Sequence, residues 1–356
     1  MRRTMLIFSA LVAFAVAVAG NAEAQFYKGK TITMIVNYPA GGPTDIEGRI
    51  VAQHLPNHIA GNPTIIIKNV GGAGGIIGSN QLGEAAPNGD TMGFFTLDMV
   101  GELLGNASIR ARYSEFVLIG GVECPLVVYM RRDTPPGINT PADLMKATEF
   151  KALSLNEQNS NTLNQALSLD LLGVKYQAVP AYRGLKEVET AILQNIGQLA
   201  NSSLSGWTAS VEPTMGNIVI PLWQLSPRKD GRYPRSKALP DMQTFEEFYA
   251  TVRPEKSLAG NPTYEAMRAV IDSQLAMFRV ALMPPKASDE AVSVMRTAFV
   301  AMWSDPKFLA DYSRVIKAEP ILVSGAEGQA VLSGIAQVPG RVKEFLLSYT
   351  SRLTTK

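Results

Sequence analysis

Two rhythms of apolar and polar positions alternate along the first hundred residues. "TITMIVNY" (31–38) is a β-branched, nearly continuous apolar run and predicts a buried strand. "TDIEGRIVAQHL" follows with Ile46, Ile50, Val51 and Leu55 at helical spacing, and Pro56 ends or bends that helix. "PTIIIKNV" predicts a second strand, "GGIIGSNQLGEAA" a second helix and "TMGFFTL" a third strand. Strand, helix, strand, helix, strand at this spacing means βαβ units on a largely parallel sheet.

The pattern restarts in the middle of the chain. "FKALSLN", "KYQAVPAY" and "NIVIPLWQLS" predict strands, and "NTLNQALSLDLLG" and "LKEVETAILQNIG" predict helices. The second helix is clearly amphipathic, with Leu185, Val188, Ala191, Ile192 and Ile196 on one side. "PRKDGRYPRSKALPD" is polar, basic and proline-rich, so a surface connection, and the remainder reads as mainly helical. The expected architecture is α/β: two Rossmann-like lobes facing each other across a central cleft. Residues 25–125 plus 225–356 are expected to form a discontinuous first lobe and 126–224 the second. "PLVVYM" and "NIVIPLWQLS" are the candidate crossing strands.

The start of the chain breaks this pattern. Arg2 and Arg3 precede "MLIFSALVAFAVAVAG", and "AEA" offers small residues at Ala22 and Ala24. This predicts a signal peptide over residues 1–24 with cleavage before Gln25, hence a secreted, periplasmic protein. A retained anchor would need an apolar stretch closer to about 20 residues. The net charge of +2 excludes a polybasic surface for nucleic acid or membrane. One cysteine forms no intrachain disulfide, and Cys124, in apolar "GGVECPLVVYM", reads as a buried small hydrophobe in preference to a reactive thiol.

Candidate chemistry is confined to the turns. "YPAGGPTD" and "VGGAGG" are glycine-rich, each follows a strand and each precedes a helix, and right-handed crossovers bring both to the carboxyl edge of one sheet. The first N–H groups of a helix lack intrahelical partners and the macrodipole is positive there, so a small anion is the natural occupant. Glycines expose those donors without a Cβ in the way. Thr44 and Glu47 also fit a capping box behind Pro43, a purely structural use. "GAGGIIG" has G-x-G-x-x-x-G spacing with no acidic residue about 20 positions on, which argues against a dinucleotide site. There is no G-x-S-x-G elbow, no zinc-type Cys/His spacing and no paired carboxylate, and His54 and His58 flank Pro56 as surface or capping residues. The reading is binding without catalysis, metal or cofactor.

These residues resemble the extracytoplasmic solute receptors of tripartite tricarboxylate transporters, the Bug family. Its F-P-A-G-G-P-T-D signature is matched by Tyr38 to Asp45, and its E-N-R-P-G-A-G-G by Lys68 to Gly75, where Lys68, Val70 and Gly71 replace Glu, Arg and Pro. "APNGDTM" (86–92), "PAYRG" (180–184), "LPDMQTFEEF" (239–248) and "LMPPKASDE" (282–290) resemble later landmarks. The resemblance implies a type II periplasmic-binding-protein architecture that closes on a small carboxylated solute, acts as a monomer and delivers to a membrane permease. It also implies that Tyr38, Gly42, Pro43, Thr44 and Asp45, with Ala73, Gly74 and Gly75, hold one carboxylate through backbone N–H groups and small hydroxyls.

In the opposing lobe the resemblance nominates Asn159, Ser160 and Asn161, then Tyr182, Arg183 and Gly184. The asparagines either hydrogen-bond a polar ligand or cap the following helix. Arg183 either pairs with a distal carboxylate or is solvated. "NSSLSGW" (201–207), with Ser202, either lines the cleft or forms a structural turn with a buried Trp. A sensor that hands its liganded state to a signalling ectodomain is the alternative role. A secreted enzyme is a third, and it would need a titratable cluster in the cleft.

Overall fold

The computed structural model describes residues 26–323, 325–334 and 337–353, and the signal-peptide reading of residues 1–24 lies outside them. Two sheets organise these residues. The first has six strands in the order β11–β4–β10–β3–β1–β2. On one side β3 (Thr91–Thr96), β1 (Thr31–Val36) and the edge strand β2 (Thr64–Asn69) run parallel, with Thr31 opposite Thr64 and Val36 opposite Asn69. β4 (Val117–Glu123), β10 (Arg279–Met283) and the edge strand β11 (Ile321–Val323) add antiparallel pairs. The expected largely parallel sheet is therefore a mixed one. β10 is Arg279 followed by four apolar residues, buried at every position and too short for periodicity to separate from a helix.

The second sheet has the order β7–β6–β8–β5–β9. β6 (Lys151–Ser154) pairs in parallel with β7 (Gln177–Pro180) and β8 (Leu199–Ser203). β5 (Leu126–Arg131) pairs antiparallel with β8 and with β9 (Val219–Leu225). Both expected crossing strands thus lie in one sheet, and the change of sheet falls at Cys124 and Pro125, between β4 and β5. Pro125 has no N–H to donate, so a ladder stops there.

The helices that carry the site follow the strands closely. α1 (Pro43–His54) follows β1, and a one-turn 3-10 segment (Ala73–Gly75) leads into α2 (Ile76–Gly83) after β2. In the second unit α3 (Ser160–Leu172) is capped by Asn159, whose side chain accepts the Asn161 N–H, and ends at Gly173 with φ +70°. α4 (Leu185–Leu193) starts beyond Gly184.

The chain beyond β9 serves both sheets. α5 (Phe245–Val252), α6 (Pro262–Asp272) and, after α7 (Asp289–Trp303) and α8 (Pro306–Ile316), the final α9 (Gly340–Leu353) share a hydrophobic core with β5, β9 and α3. Trp223 stacks on Phe248 there at 5.2 Å between ring centroids. α7 and α8 instead cover the first sheet, where Phe299, Trp303 and Phe308 pack beneath Met34 and Phe94. No described helix is long and apolar enough to cross a membrane.

Candidate functional site

The turn after β1 is built from its own polar groups. Asn37 exchanges two hydrogen bonds with Thr96 at the end of β3: Nδ2 donates to the carbonyl at 3.1 Å and Oδ1 accepts the N–H at 3.0 Å. Tyr38 donates its hydroxyl to the Gly74 carbonyl at 2.8 Å, tying the first glycine turn to the second. Gly42 is the N-cap of α1 and Pro43 its first residue, so the helix starts earlier than a Thr44–Glu47 capping box requires. Thr44 therefore sits in helical backbone, and its hydroxyl meets Thr96 Oγ1 at 2.7 Å. Asp45 is buried in structure: it accepts from Gly41 N–H at 2.8 Å, Arg49 Nε at 2.9 Å and Asn69 Nδ2 at 3.0 Å. Burial pushes its carboxyl up, but the hydrogen bonds from Arg49, Gly41 and Asn69 outweigh that and hold it below the ordinary range.

The second turn needs its glycines. Gly72, Ala73, Gly74 and Gly75 have φ of +124°, +49°, +66° and +100°, a left-handed run that L side chains resist. A Cβ on Gly75 would fall 2.7 Å from Asn37 Nδ2, and one on Gly74 would collide with Asn156 from the opposing unit.

Glu47 and Arg279 form the electrostatic centre. Both side chains are essentially fully buried, with Arg279 Nε 2.7 Å from Glu47 Oε1. Glu47 also accepts Ser205 Oγ at 2.6 Å and the Tyr312 hydroxyl at 2.8 Å. Arg279 Nη1 donates to Thr96 Oγ1 at 2.8 Å, and Nη2 to Ser205 and Ser203 at 3.1 and 3.2 Å. Burial of this kind is tolerable only because every charge is paired and hydrogen-bonded. The network joins the two units, because Glu47 lies on α1 and Arg279 on β10 of the first sheet while Ser203 ends β8 of the second.

Beside it lies a cavity of about 30 Å³, room for a water or two, between residues of both units. Of the residues nominated from sequence, Tyr38, Gly42, Pro43, Thr44, Asn161 and Gly184 line it. Ala73, Gly74 and Gly75 line a separate small cavity with Asp98 and Asn156. Ser202 is buried with its hydroxyl unpartnered among the described residues, close to Pro43 of α1.

The second unit's nominees divide. Asn159 Nδ2 donates to Asp98 Oδ2 at 2.6 Å, and Ser160 donates both its N–H, at 3.0 Å, and its hydroxyl, at 2.7 Å, to the same carboxylate. The N-terminus of α3 is thus filled by the protein's own Asp98. Burial pushes that carboxyl up to about 6 despite these donors. Arg183 is exposed and pairs with Glu187 one helical turn away at 2.8 Å, a local surface pair. Tyr182 lies half-buried against the core of the second sheet. Asp98, Thr96, Phe278 and Arg279 went unnominated. The available signal was a lone Arg inside "MFRVALM", a charge where an apolar strand is expected. His54 and His58 face Asp311 and Asp305 at 3.0 and 3.1 Å, and no group of His, Cys, Asp or Glu suited to a metal occurs among the described residues.

No family model matches the chain. It is 27% identical over 220 residues to a UPF0065 protein in the TAR-I ttuE-ttuC′ intergenic region of Agrobacterium vitis, covering 58% of this chain and 60% of that one. It is 34% identical over 92 residues to BugT of Bordetella pertussis, 26% of this chain and 27% of that one. The matched stretches span less than two thirds of these relatives. Among solved structures, the periplasmic binding protein BugD superposes with a TM-score of 0.68 at 20% identity, over 91% of this chain and 99% of that one. MatC of Rhodopseudomonas palustris with bound malate gives 0.64 at 17% identity, over 92% and 99%. A protein of R. palustris with adipate gives 0.67 at 16%, over 92% and 98%. The shared architecture is two α/β lobes.

Proposed function

We propose that this chain, a solute-binding protein of the Bug and TctC family, captures a small carboxylated solute between its two lobes in the periplasm. It would deliver that solute, as a monomer, to the permease of a tripartite tricarboxylate-type transporter. The first lobe is assigned to the first sheet with α1, α2, α7 and α8, and the second to the remaining sheet with α3 and α4.

The observation that carries this reading is the convergence of groups from both sheets on one cavity: Thr44 and Arg279 from one side, Asn161 and Gly184 from the other. A solute that touches both faces is bound fully only when the lobes are together, so binding drives closure. The small space between the lobes as described means that they must part for a solute to enter. The malate and adipate held by two structural relatives point the same way as the helix N-terminus at Gly42, which favours an anion.

The test is thermal unfolding of the mature protein, refolded free of co-purified solute, against carboxylic acids and their amides. A solute at a hundred times its Kd adds about 2.7 kcal/mol and moves the midpoint by a few degrees. A shift with acids and none with amides supports the reading. No shift with any acid sinks it.

A further inference from the structure

The basic, proline-rich connection after β9 borders an open groove of about 1040 Å³, far larger than the cavity of about 30 Å³ beside Arg279. The groove lies where the chain passes from one sheet to the other. Glu123 ends β4 and Pro125 precedes β5, and the Pro125 carbonyl accepts the N–H of Leu204, just past β8. Another wall runs from Ser313 near the end of α8 to Ile321 at the start of β11. Both units therefore contribute to it.

The connection itself is folded against β9. Gln224 of that strand is fully buried, donates to the carbonyls of Leu239 and Met242 at 2.8 and 2.6 Å, and accepts the Ser236 N–H at 2.8 Å. The Tyr233 hydroxyl reaches Asp272 at 2.8 Å, and Ser226 donates to the Pro234 carbonyl. Pro227 and Pro234 fix their own φ, so this wall stands ready and costs little ordering on binding.

Charge is concentrated here. Residues 226–238 hold Arg228, Lys229, Arg232, Arg235 and Lys237 against Asp230 alone, five cations to one anion, a net +4 in a chain whose total is +2. Three of the five are paired: Lys229 with Glu123 at 3.0 Å, Arg235 with Glu247 at 2.7 Å and Arg228 with Asp272 at 3.5 Å. Arg232, Lys237 and, just past α8, Lys317 are exposed, and none has a carboxylate within 4 Å among the described residues. Glu319 is the remaining acid on the lining. Between the charges the surface is carbon, from Pro125, Leu204, Pro320 and Ile321, the last 41% exposed.

A flat bilayer could touch the lysines but not enter a concave groove, and a small anion needs neither this volume nor the carbon floor. An extended chain bearing both acidic and apolar side chains meets each feature. We propose that the groove is the docking site for an acidic, extended segment of a partner protein, held by Lys237 and Lys317 with its apolar side chains against Leu204 and Ile321. Both units line the groove, so the fit of that segment depends on how they are placed. The site does not depend on what the cavity beside Arg279 holds.

Fluorescence anisotropy of the mature protein at low ionic strength tests this with a labelled peptide of Glu-Leu-Asp repeats. Its Gln-Leu-Asn counterpart is the neutral control, and cosedimentation with phosphatidylglycerol vesicles tests for a membrane. The expected result is saturable one-to-one binding of the acidic peptide, about tenfold or more tighter than the neutral one, and no cosedimentation. Lys237→Glu combined with Lys317→Glu should weaken the acidic peptide about tenfold or more. Lys28→Glu combined with Lys175→Glu, exposed positions outside the groove, makes the same change of net charge and should weaken it less than about twofold. Equal losses in the two double variants would reduce the binding to attraction between net charges and overturn the proposal. Absence of peptide binding, or vesicle binding in its place, overturns it as well.

Discussion

Asp98 and Ser160 meet across the boundary between the two sheets: the serine donates its hydroxyl to Oδ1 at 2.7 Å and its backbone N–H to Oδ2 at 3.0 Å. A carboxylate from one lobe thus sits at the start of a helix in the other, where the macrodipole favours it. That contact joins the two units and occupies the donors at the start of α3.

Burial pushes the Asp98 carboxyl from 3.8 up to about 6, against hydrogen bonds from Ser160, Val100 and Asn159. Between those values the folded protein holds a proton that the unfolded chain has released. The stability linked to Asp98 is therefore full at the acid end and is lost as pH rises through that window. Melting temperatures of the wild type and Asp98→Asn, compared from pH 4 to pH 7, should show the wild type losing ground as pH rises. A difference independent of pH would contradict the assignment.

Removing one member of the Glu47–Arg279 pair strands the other in the interior. Arg279→Met should cost about 3–5 kcal/mol in urea unfolding, and adding Glu47→Met should recover part of it, since two apolar side chains leave no orphaned charge. A double variant as unstable as the sum of the singles would show that the two residues are not coupled.

Gly74 combines a φ of +66° with a position facing Asn156 of the opposing lobe. Gly74→Val should lower the unfolding free energy by about 1–2 kcal/mol from backbone strain, and should also weaken solute binding by obstructing closure. Gly29→Ala is the control: φ is +73° there too, but the added Cβ meets nothing within 4 Å. It should share the strain and keep the affinity. Equal affinities for both variants would remove Gly74 from the closing surface.

Cys124 is buried beside Pro125, and burial, with Glu47 nearby, pushes its thiol up to about 12. The reactive species is the thiolate, so a chromogenic disulfide should leave the native protein unmodified at pH 8 and label it promptly in urea. Rapid labelling of the native state would mean that the junction between β4 and β5 opens readily.

The two glycine turns were legible because glycine at left-handed positions and an apolar run before each helix are local properties. Tyr38, Gly42, Pro43 and Thr44, nominated within the first turn by the family resemblance, line the cavity; Gly74 and Gly75, nominated in the second turn in the same way, face the neighbouring space with Asp98. Arg183 illustrates the limit. Its sequence context fits a carboxylate clamp, yet Glu187, one turn along α4, is the partner it has. Thr44 and Glu47 illustrate it again, since a capping box and a buried network use the same residue types, and only the location of Thr96 and Arg279 separates them.

By itself the sequence determined what depends on near neighbours along the chain: the α/β alternation, the turns that expose backbone donors, the bulk of the helices, and one arginine set among apolar residues. The tertiary structure decided what depends on pairs far apart. It placed β10 inside the first sheet, brought Arg279 to Glu47 across 232 positions of chain, and set Asp98 against α3. A side chain's charge and shape are written locally, but its partner is chosen by whichever distant group the packed interior leaves within about 3 Å, and burial makes that choice costly to leave unmade.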